Sequence, residues 1–276
     1  MGDFEVDTRV HGQAGHYQAN LSGDWEVWGP NGGYIAAIAL RAAGQEAAIP
    51  RPASFACHFL ATARFEPVDL EVAAVHKGRR SESFHVVMRQ AGRPILQAVV
   101  RTAVEGPGLE HDVARMPDVA DPDSLKSWDE LKPDDGPTYP FWMNIEGKVS
   151  HPEWLDEEPR PRDPYLHEWY RFRPRATFED PWVDAGRLLL LIDTMSWPAA
   201  CRPHWLRRDY QAPNLDVSAW FHRLAPESEW LLADHESPVA EGGLMGTTAR
   251  IWSQEGRLLA TGGAQLLCVP VPPDPA

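Results

Sequence analysis

The chain is predicted to be an α+β protein made of two tandem units, each a single apolar helix followed by antiparallel strands that wrap it. Three observations predict this. Gln90, Gly92 and Arg93 recur 164 residues later as Gln254, Gly256 and Arg257, and at the same offset His58 falls on His222. Each half also runs in the same order, helix first and strands after. Between the halves lies a stretch too rich in proline for long helices or central strands.

In the first half the helix is expected over residues 31–47, opened by Pro30 and capped by Asn31. Strands are expected over 55–62, 68–76, 83–90 and 95–104, where apolar and polar residues alternate. The second helix is expected over 185–200, stopped by Pro198, with strands over 215–223, 230–237, 246–253 and 258–269. Gln90-Ala91-Gly92-Arg93 and Gln254-Glu255-Gly256-Arg257 read as hairpin turns joining the last pair of strands in each half. Residues 105–181 hold 19 acidic side chains against 9 basic ones and 12 of the 26 prolines. The organisation is therefore read as an N-terminal unit over 1–105, a connection over 106–164 with short helical turns such as 123–131, and a C-terminal unit over 165–276.

Composition narrows the function classes. With 43% apolar and 24% charged residues, the chain has the makings of an ordinary packed core. A net charge of -14 repels phosphate backbones and anionic membranes, so no nucleic-acid partner is expected. Cys57, Cys201 and Cys268 are an odd number at long spacings, which suggests buried thiols in a reducing compartment. The opening MGDFEVDTRV lacks the basic and then apolar stretch of a signal peptide, and no apolar run approaches a membrane span, so a cytoplasmic protein is expected. No GxSxG, P-loop or GxGxxG occurs.

Asp193 carries the strongest chemical signal because it interrupts the run Leu188-Leu189-Leu190-Leu191-Ile192. A carboxylate withdrawn from water costs several kcal/mol unless partnered, or else its pKa rises. Two readings stand: a base or water-orienting group, or a structural ion pair to an arginine such as Arg187 or Arg223. Asn31, Gly32 and Gly33 open the first helix, and its free N–H groups could face an oxyanion or phosphate. Their alternative is close helix-to-sheet packing. The first helix has no aspartate, so only the second is equipped for catalysis. His58 and His222 read as satisfied core histidines. Cys201-Arg202-Pro203-His204 has a Cys-x-x-His spacing with no second pair nearby, so no metal is expected.

Several segments together resemble the acyl-CoA thioesterase II (TesB-like) family of double hotdog proteins. They are Gly29-Pro30-Asn31-Gly32-Gly33-Tyr34, the strand around Phe55, Leu191-Ile192-Asp193, Leu215-Asp216-Val217-Ser218-Ala219-Trp220-Phe221-His222-Arg223, and Gly256-Arg257-Leu258-Leu259-Ala260-Thr261. The resemblance spans residues 20–105 and 165–270 and implies a double hotdog fold, with acyl-CoA hydrolysed to free fatty acid and CoA by a water activated by Asp, Thr or Ser, and Gln. It thus implies an enzyme of fatty-acid metabolism acting on an acyl-CoA substrate, and a homo-oligomer is compatible with it; because a thioester carbonyl is already electrophilic, a positioned water and a modest base suffice and no cofactor is expected. On this pattern Asp193 is the base. Asn214 stands where the family has the hydroxyl, and Ser218 on the same strand is expected to share its face. Ala264 stands at the glutamine position, with Gln265 one residue later. A glycine bulge at Gly262-Gly263 would restore the phase, so Gln265 is taken as the third partner. Lys77, Arg79 and Arg80 could meet the nucleotide phosphates of CoA, or simply form a solvated hairpin tip. The rival functions are a hotdog protein that binds an acyl-CoA or another hydrophobic ligand without cleaving it, and a hydratase or dehydratase on the same scaffold.

Overall fold

The computed structural model describes residues 1–131, 139–150, 160–204 and 210–271. A short helix α1 (Phe4–Asp7) and strands β1 (His11–Gln13) and β2 (His16–Asn20) lead into helix α2 (Gly32–Glu46). Strands β3 (Pro52–Phe59), β4 (Pro67–Lys77), β5 (Ser81–Gln90) and β6 (Arg93–Ala103) follow. The connection supplies 3₁₀ turns over Pro122–Ser124 and Pro140–Met143, one α-helical turn, α3 (Trp128–Leu131), and strand β7 (Ile145–Lys148). The second half comprises β8 (Tyr165–Phe172), α4 (Pro181–Thr194), α5 (Ser196–Cys201), β9 (Tyr210–Gln211), β10 (Asn214–Phe221), β11 (Leu231–Glu241), β12 (Leu244–Ser253), β13 (Leu258–Leu267) and β14 (Val269–Pro270).

Twelve strands form one sheet in the order β1-β2-β4-β5-β6-β3-β10-β13-β12-β11-β8-β7. The halves meet where β3 and β10 pair antiparallel with Phe55 opposite Ala219. These two residues are themselves related by the sequence repeat, so a pseudo-twofold axis passes between them. Alternation along β10 buries Val217, Ala219 and Phe221 on the inner face. Helices α2 and α4 pack antiparallel against that face, Gly33 beside Leu190 and Gly186 beside Ala37. A Cβ on Gly33 would stand 2.6 Å from the Leu190 Cα, so the two backbones approach more closely than any larger residue allows. The run from Leu188 to Ile192 is fully buried between the layers, and each such side chain stabilises the fold by about 1.5–3 kcal/mol.

Four features differ from the sequence expectation. The strands β1, β2, β7 and β8, which form the two outer margins of the sheet, lie outside the expected set because their sequences lack a sustained apolar alternation. The second helix starts earlier than expected, at Pro181, and breaks at Met195 instead of running to residue 200. Pro198 explains the break, since it has no N–H for the Thr194 carbonyl and its ring crowds that turn; it sits within the first turn of α5. The connection lies against the sheet: Ala114, Met116, Val119 and Leu125 pack on the buried Trp169, Trp230, Leu232 and Trp252, and the Trp169 indole donates to the Ala120 carbonyl at 3.0 Å. Residues 132–138 and 151–159 of the expected connection, with 205–209 and 272–276 of the expected C-terminal unit, lie outside the described residues. Finally, His58 and His222 are exposed, not core. Both project from the outer face near the middle of the sheet, where His222 Nε2 lies 2.9 Å from Thr261 Oγ1.

Candidate active site

Asp193 sits in the last turn of α4, only 3% exposed. Because the helices run antiparallel, this turn faces the first turn of α2. Its Oδ2 accepts the Gly33 N–H at 2.6 Å, and its Oδ1 accepts Asn214 Nδ2 at 2.6 Å. The same amide nitrogen also reaches the Asp193 carbonyl at 3.0 Å. Burial pushes the carboxyl pKa up to about 6, and the bonds from Asn214 and Gly33 hold it back from rising further. The positive end of the α2 dipole acts in the same direction as those bonds. The ion-pair reading is overturned: Arg187 pairs with Asp184 at 2.6 Å, and Arg223 with Asp112 at 2.9 Å.

Asn214 reaches the inner face through a bulge, though not the one expected. The β10–β13 register shifts between Asn214 and Asp216, which leaves Leu215 as the extra residue. Asn214 is thereby opposite the buried Leu266, while Asp216 and Ser218 face outward opposite Gln265 and Gly263. Ser218 therefore does not share a face with Asn214. Register runs unbroken from Asp216 opposite Gln265 to Phe221 opposite Ala260, so no bulge occurs at Gly262-Gly263. Gln265 is exposed on the outer face and Ala264 occupies the inner position. The two glycines answer a different need: a Cβ at Gly262 would collide with the Ser218 carbonyl oxygen, and one at Gly263 with that of Thr247.

At the start of α2, Asn31 caps the helix by accepting the Tyr34 N–H at 2.9 Å. Its Nδ2 donates to Thr194 Oγ1 at 3.0 Å, tying the helix start to the residue after Asp193. A Cβ on Gly32 would lie 2.8 Å from Asp193 Oδ2, so the carboxylate fits only against glycine. The Gly33 N–H, expected to face a ligand, is taken up by Asp193. No acceptor for the Gly32 N–H is present among the described residues. Gly32, Thr194 and Asn214 are each partly exposed and form the outer boundary of the buried carboxylate.

The basic hairpin tip does not converge on this site. Lys77 Nζ donates to the carbonyl of Glu46, the last residue of α2, at 3.0 Å and lies 5.7 Å from the Phe84 ring centre. Asp193 is at the other end of that helix, roughly 20 Å away at 1.5 Å per residue. Arg79 and Arg80, with His76, Gly78 and Ser81, line an open groove of about 610 Å³ there. Cys201 Sγ donates to the Pro198 carbonyl, and no group of three or more metal-ligating side chains occurs among the described residues. The pseudo-twofold partner of the Asp193 site is filled. Gly44 and Asp193 stand the same number of residues beyond their N-caps, Asn31 and Asp180, but a Cβ on Gly44 would strike the Trp182 ring at 2.5 Å. Where Asp193 meets Gly33, the other half presents glycine against an indole. Sequence reasoning passed over three buried polar groups behind Asp193: Ser196, His235 and Thr247. His235 carries no local mark, since it stands between Asp234 and Glu236 in Leu231–Glu241, one polar residue among several.

Two helices wrapped by one antiparallel sheet, whose halves join edge to edge through β3 and β10, define a double hotdog protein. The acyl-CoA thioesterase N-terminal domain family matches residues 21–103, and the acyl-CoA thioesterase C-terminal domain family matches residues 112–269. The chain belongs to this acyl-CoA thioesterase family. It is 28% identical over 212 residues to acyl-coenzyme A thioesterase 8 of Homo sapiens, covering 71% of this chain and 66% of that one. It is 26% identical over 245 residues to acyl-CoA thioesterase 2 of Haemophilus influenzae, covering 83% and 84%. Among solved structures, an acyl-CoA thioesterase II from Mycobacterium marinum superposes with a TM-score of 0.80 at 22% identity, covering 98% of this chain and 99% of the other. A hot dog protein of unknown function from Alicyclobacillus acidocaldarius gives 0.82 at 23% identity, covering 97% and 98%.

Proposed function

We propose that the chain hydrolyses acyl-CoA thioesters, with Asp193 as general base. The observation that supports this best is a buried carboxylate whose pKa lies near 6, held on a helix N-terminus and on a sheet amide. Such a group is ionised at neutral pH yet basic enough to take a proton from water. The ionised carboxylate removes a proton from a water molecule as its oxygen attacks the thioester carbonyl. The Gly32 N–H, at the positive end of α2, is the donor placed to stabilise the oxyanion. Collapse of the tetrahedral adduct expels the CoA thiolate, which recovers the proton from Asp193, leaving a carboxylic acid and CoA. Asn214 holds Asp193 in orientation through two bonds and supplies no hydroxyl. Ser218 and Gln265 have no part in this reading, and the tip residues Lys77, Arg79 and Arg80 are left with only a distant contact to nucleotide phosphates. No helix among the described residues is long and apolar enough to cross a membrane.

The test is thiol release from acyl-CoAs of graded chain length, with Asp193→Asn beside the unaltered chain. Release that falls at least about a hundredfold in the variant supports the reading, in line with the loss of a general base; release that persists removes Asp193 from the mechanism. The near-complete burial of Asp193 and the outward-facing Gln265 favour a second reading, a protein that holds an acyl-CoA without cleaving it. Stoichiometric binding with no release would establish that alternative.

A further inference from the structure

The break between α4 and α5 frees carbonyl groups that a continuous helix would satisfy. The Ile192 carbonyl accepts from His235 Nε2 at 3.2 Å and lies 2.9 Å from Ser196 Oγ. Ser196 Oγ is in turn 2.9 Å from Thr247 Oγ1. Thr247 Oγ1 receives the Ala264 N–H at 3.1 Å and donates to the Ala264 carbonyl at 3.0 Å. All these side chains are buried.

The Ile192 carbonyl has two lone pairs and accepts from both Ser196 Oγ and His235 Nε2. Each hydroxyl has one proton to give, and Thr247 can pass its own to Ser196, whose proton then goes to Ile192. In either arrangement of the hydroxyls, a ring nitrogen 3.2 Å from a carbonyl oxygen has to carry a proton, so His235 is protonated on Nε2. That tautomer leaves Nδ1 as an acceptor with no partner among the described residues. An unpaired buried nitrogen is destabilising. A leucine at 235 would avoid that penalty, so the donor is what the site gains from histidine. Burial lowers the His235 pKa to about 4, which keeps the ring neutral and the tautomer fixed.

We propose that His235 is a positioning residue: its Nε2–H pins the Ile192 carbonyl at the helix break and so holds the neighbouring Asp193 on Gly33 and Asn214. This rests on the reading of Asp193 as the base. Without the pin, the last turn of α4 keeps its backbone fold but loses its fixed orientation, so the carboxylate leaves the Gly33 N–H for part of the time. Substrate contacts made elsewhere are unaffected.

Two substitutions separate donor from shape. His235→Leu removes the donor, and His235→Gln retains an N–H that reaches the same carbonyl. With an acyl-CoA that the unaltered chain turns over, His235→Leu is expected to lower kcat at least tenfold with KM within twofold, while His235→Gln stays within threefold of wild type. Exchange of the Gly33 amide proton reads the same effect without catalysis, and is expected to be at least tenfold faster in His235→Leu and near wild type in His235→Gln. Where the leucine variant does not fold, His235→Met takes its place. Wild-type kcat and Gly33 exchange in the leucine variant would overturn the proposal, as would equal defects in both variants. A chain with no thiol release, or an Asp193→Asn variant that keeps it, defeats the hydrolase reading instead and leaves Gly33 exchange to decide the role of His235.

Discussion

Asp193 Oδ2 and the Gly33 N–H, 160 residues apart in the chain, lie 2.6 Å apart in space. This bond joins the end of one helix to the start of the other, and it exists only because the two helices run antiparallel. It places an anion at the end of α2 where the peptide dipoles favour one.

Catalysis should follow the ionisation of that carboxylate. We expect kcat for thioester hydrolysis to rise with pH through an apparent pKa near 6 and then level off, because the deprotonated form is the base. A pH–rate profile checks this, and a flat profile between about pH 5 and pH 8 would contradict it.

Removing the sheet amide should move that profile. Asn214→Leu deletes the leading interaction that lowers the Asp193 pKa, while burial continues to raise it. The acid limb is expected to shift upward by about one pH unit, with kcat at neutral pH reduced several-fold. Asn214→Gln, with a longer reach, should recover part of the loss.

Stability should carry the opposite pH dependence. The folded pKa of Asp193 lies near 6, above its ordinary 3.8, so the buried carboxyl favours its neutral form. Below the ordinary value both folded and unfolded chains are protonated and there is no penalty. As pH rises through about 6 the folded state comes to hold a desolvated charge, and stability is lost. The gap between Asp193→Asn and wild type should therefore widen, in favour of the variant, by up to about 3 kcal/mol between about pH 4 and pH 7. Urea unfolding of both proteins at the two pH values measures it.

The glycines should separate packing from chemistry. Gly33→Ala drives a methyl group toward the Leu190 backbone and is expected to cost about 1–3 kcal/mol of stability. Gly32→Ala meets the Asp193 carboxylate instead and should lower kcat more than it lowers the melting temperature. Gln265→Ala, on the exposed outer face, should hold kcat within about twofold.

What could be read from the sequence follows from what local pattern encodes. An acid inside a leucine run is visible as an anomaly, so Asp193 stood out before any fold was known, and the repeat joining Gln90 to Gln254 exposed the duplication. The faces of Ser218 and Gln265 were not legible, because side-chain direction depends on where a bulge falls. The bulge falls at Leu215, which carries no local mark, while the glycines that suggested one serve close strand approach. The position of Lys77 depended on helix direction, which periodicity does not record. His235 was missed because its role is to satisfy a carbonyl that only the broken helix leaves open.

The indole of Trp182 against Gly44 has a consequence for stoichiometry. A duplicated scaffold begins with two equivalent cavities, and here one of them is stoppered by an aromatic ring. On the proposed reading of Asp193 there is a single reaction centre among the described residues, so a tight transition-state mimic is expected to titrate at one equivalent per polypeptide. The half without an acid at this position serves as the wall against which the other is set.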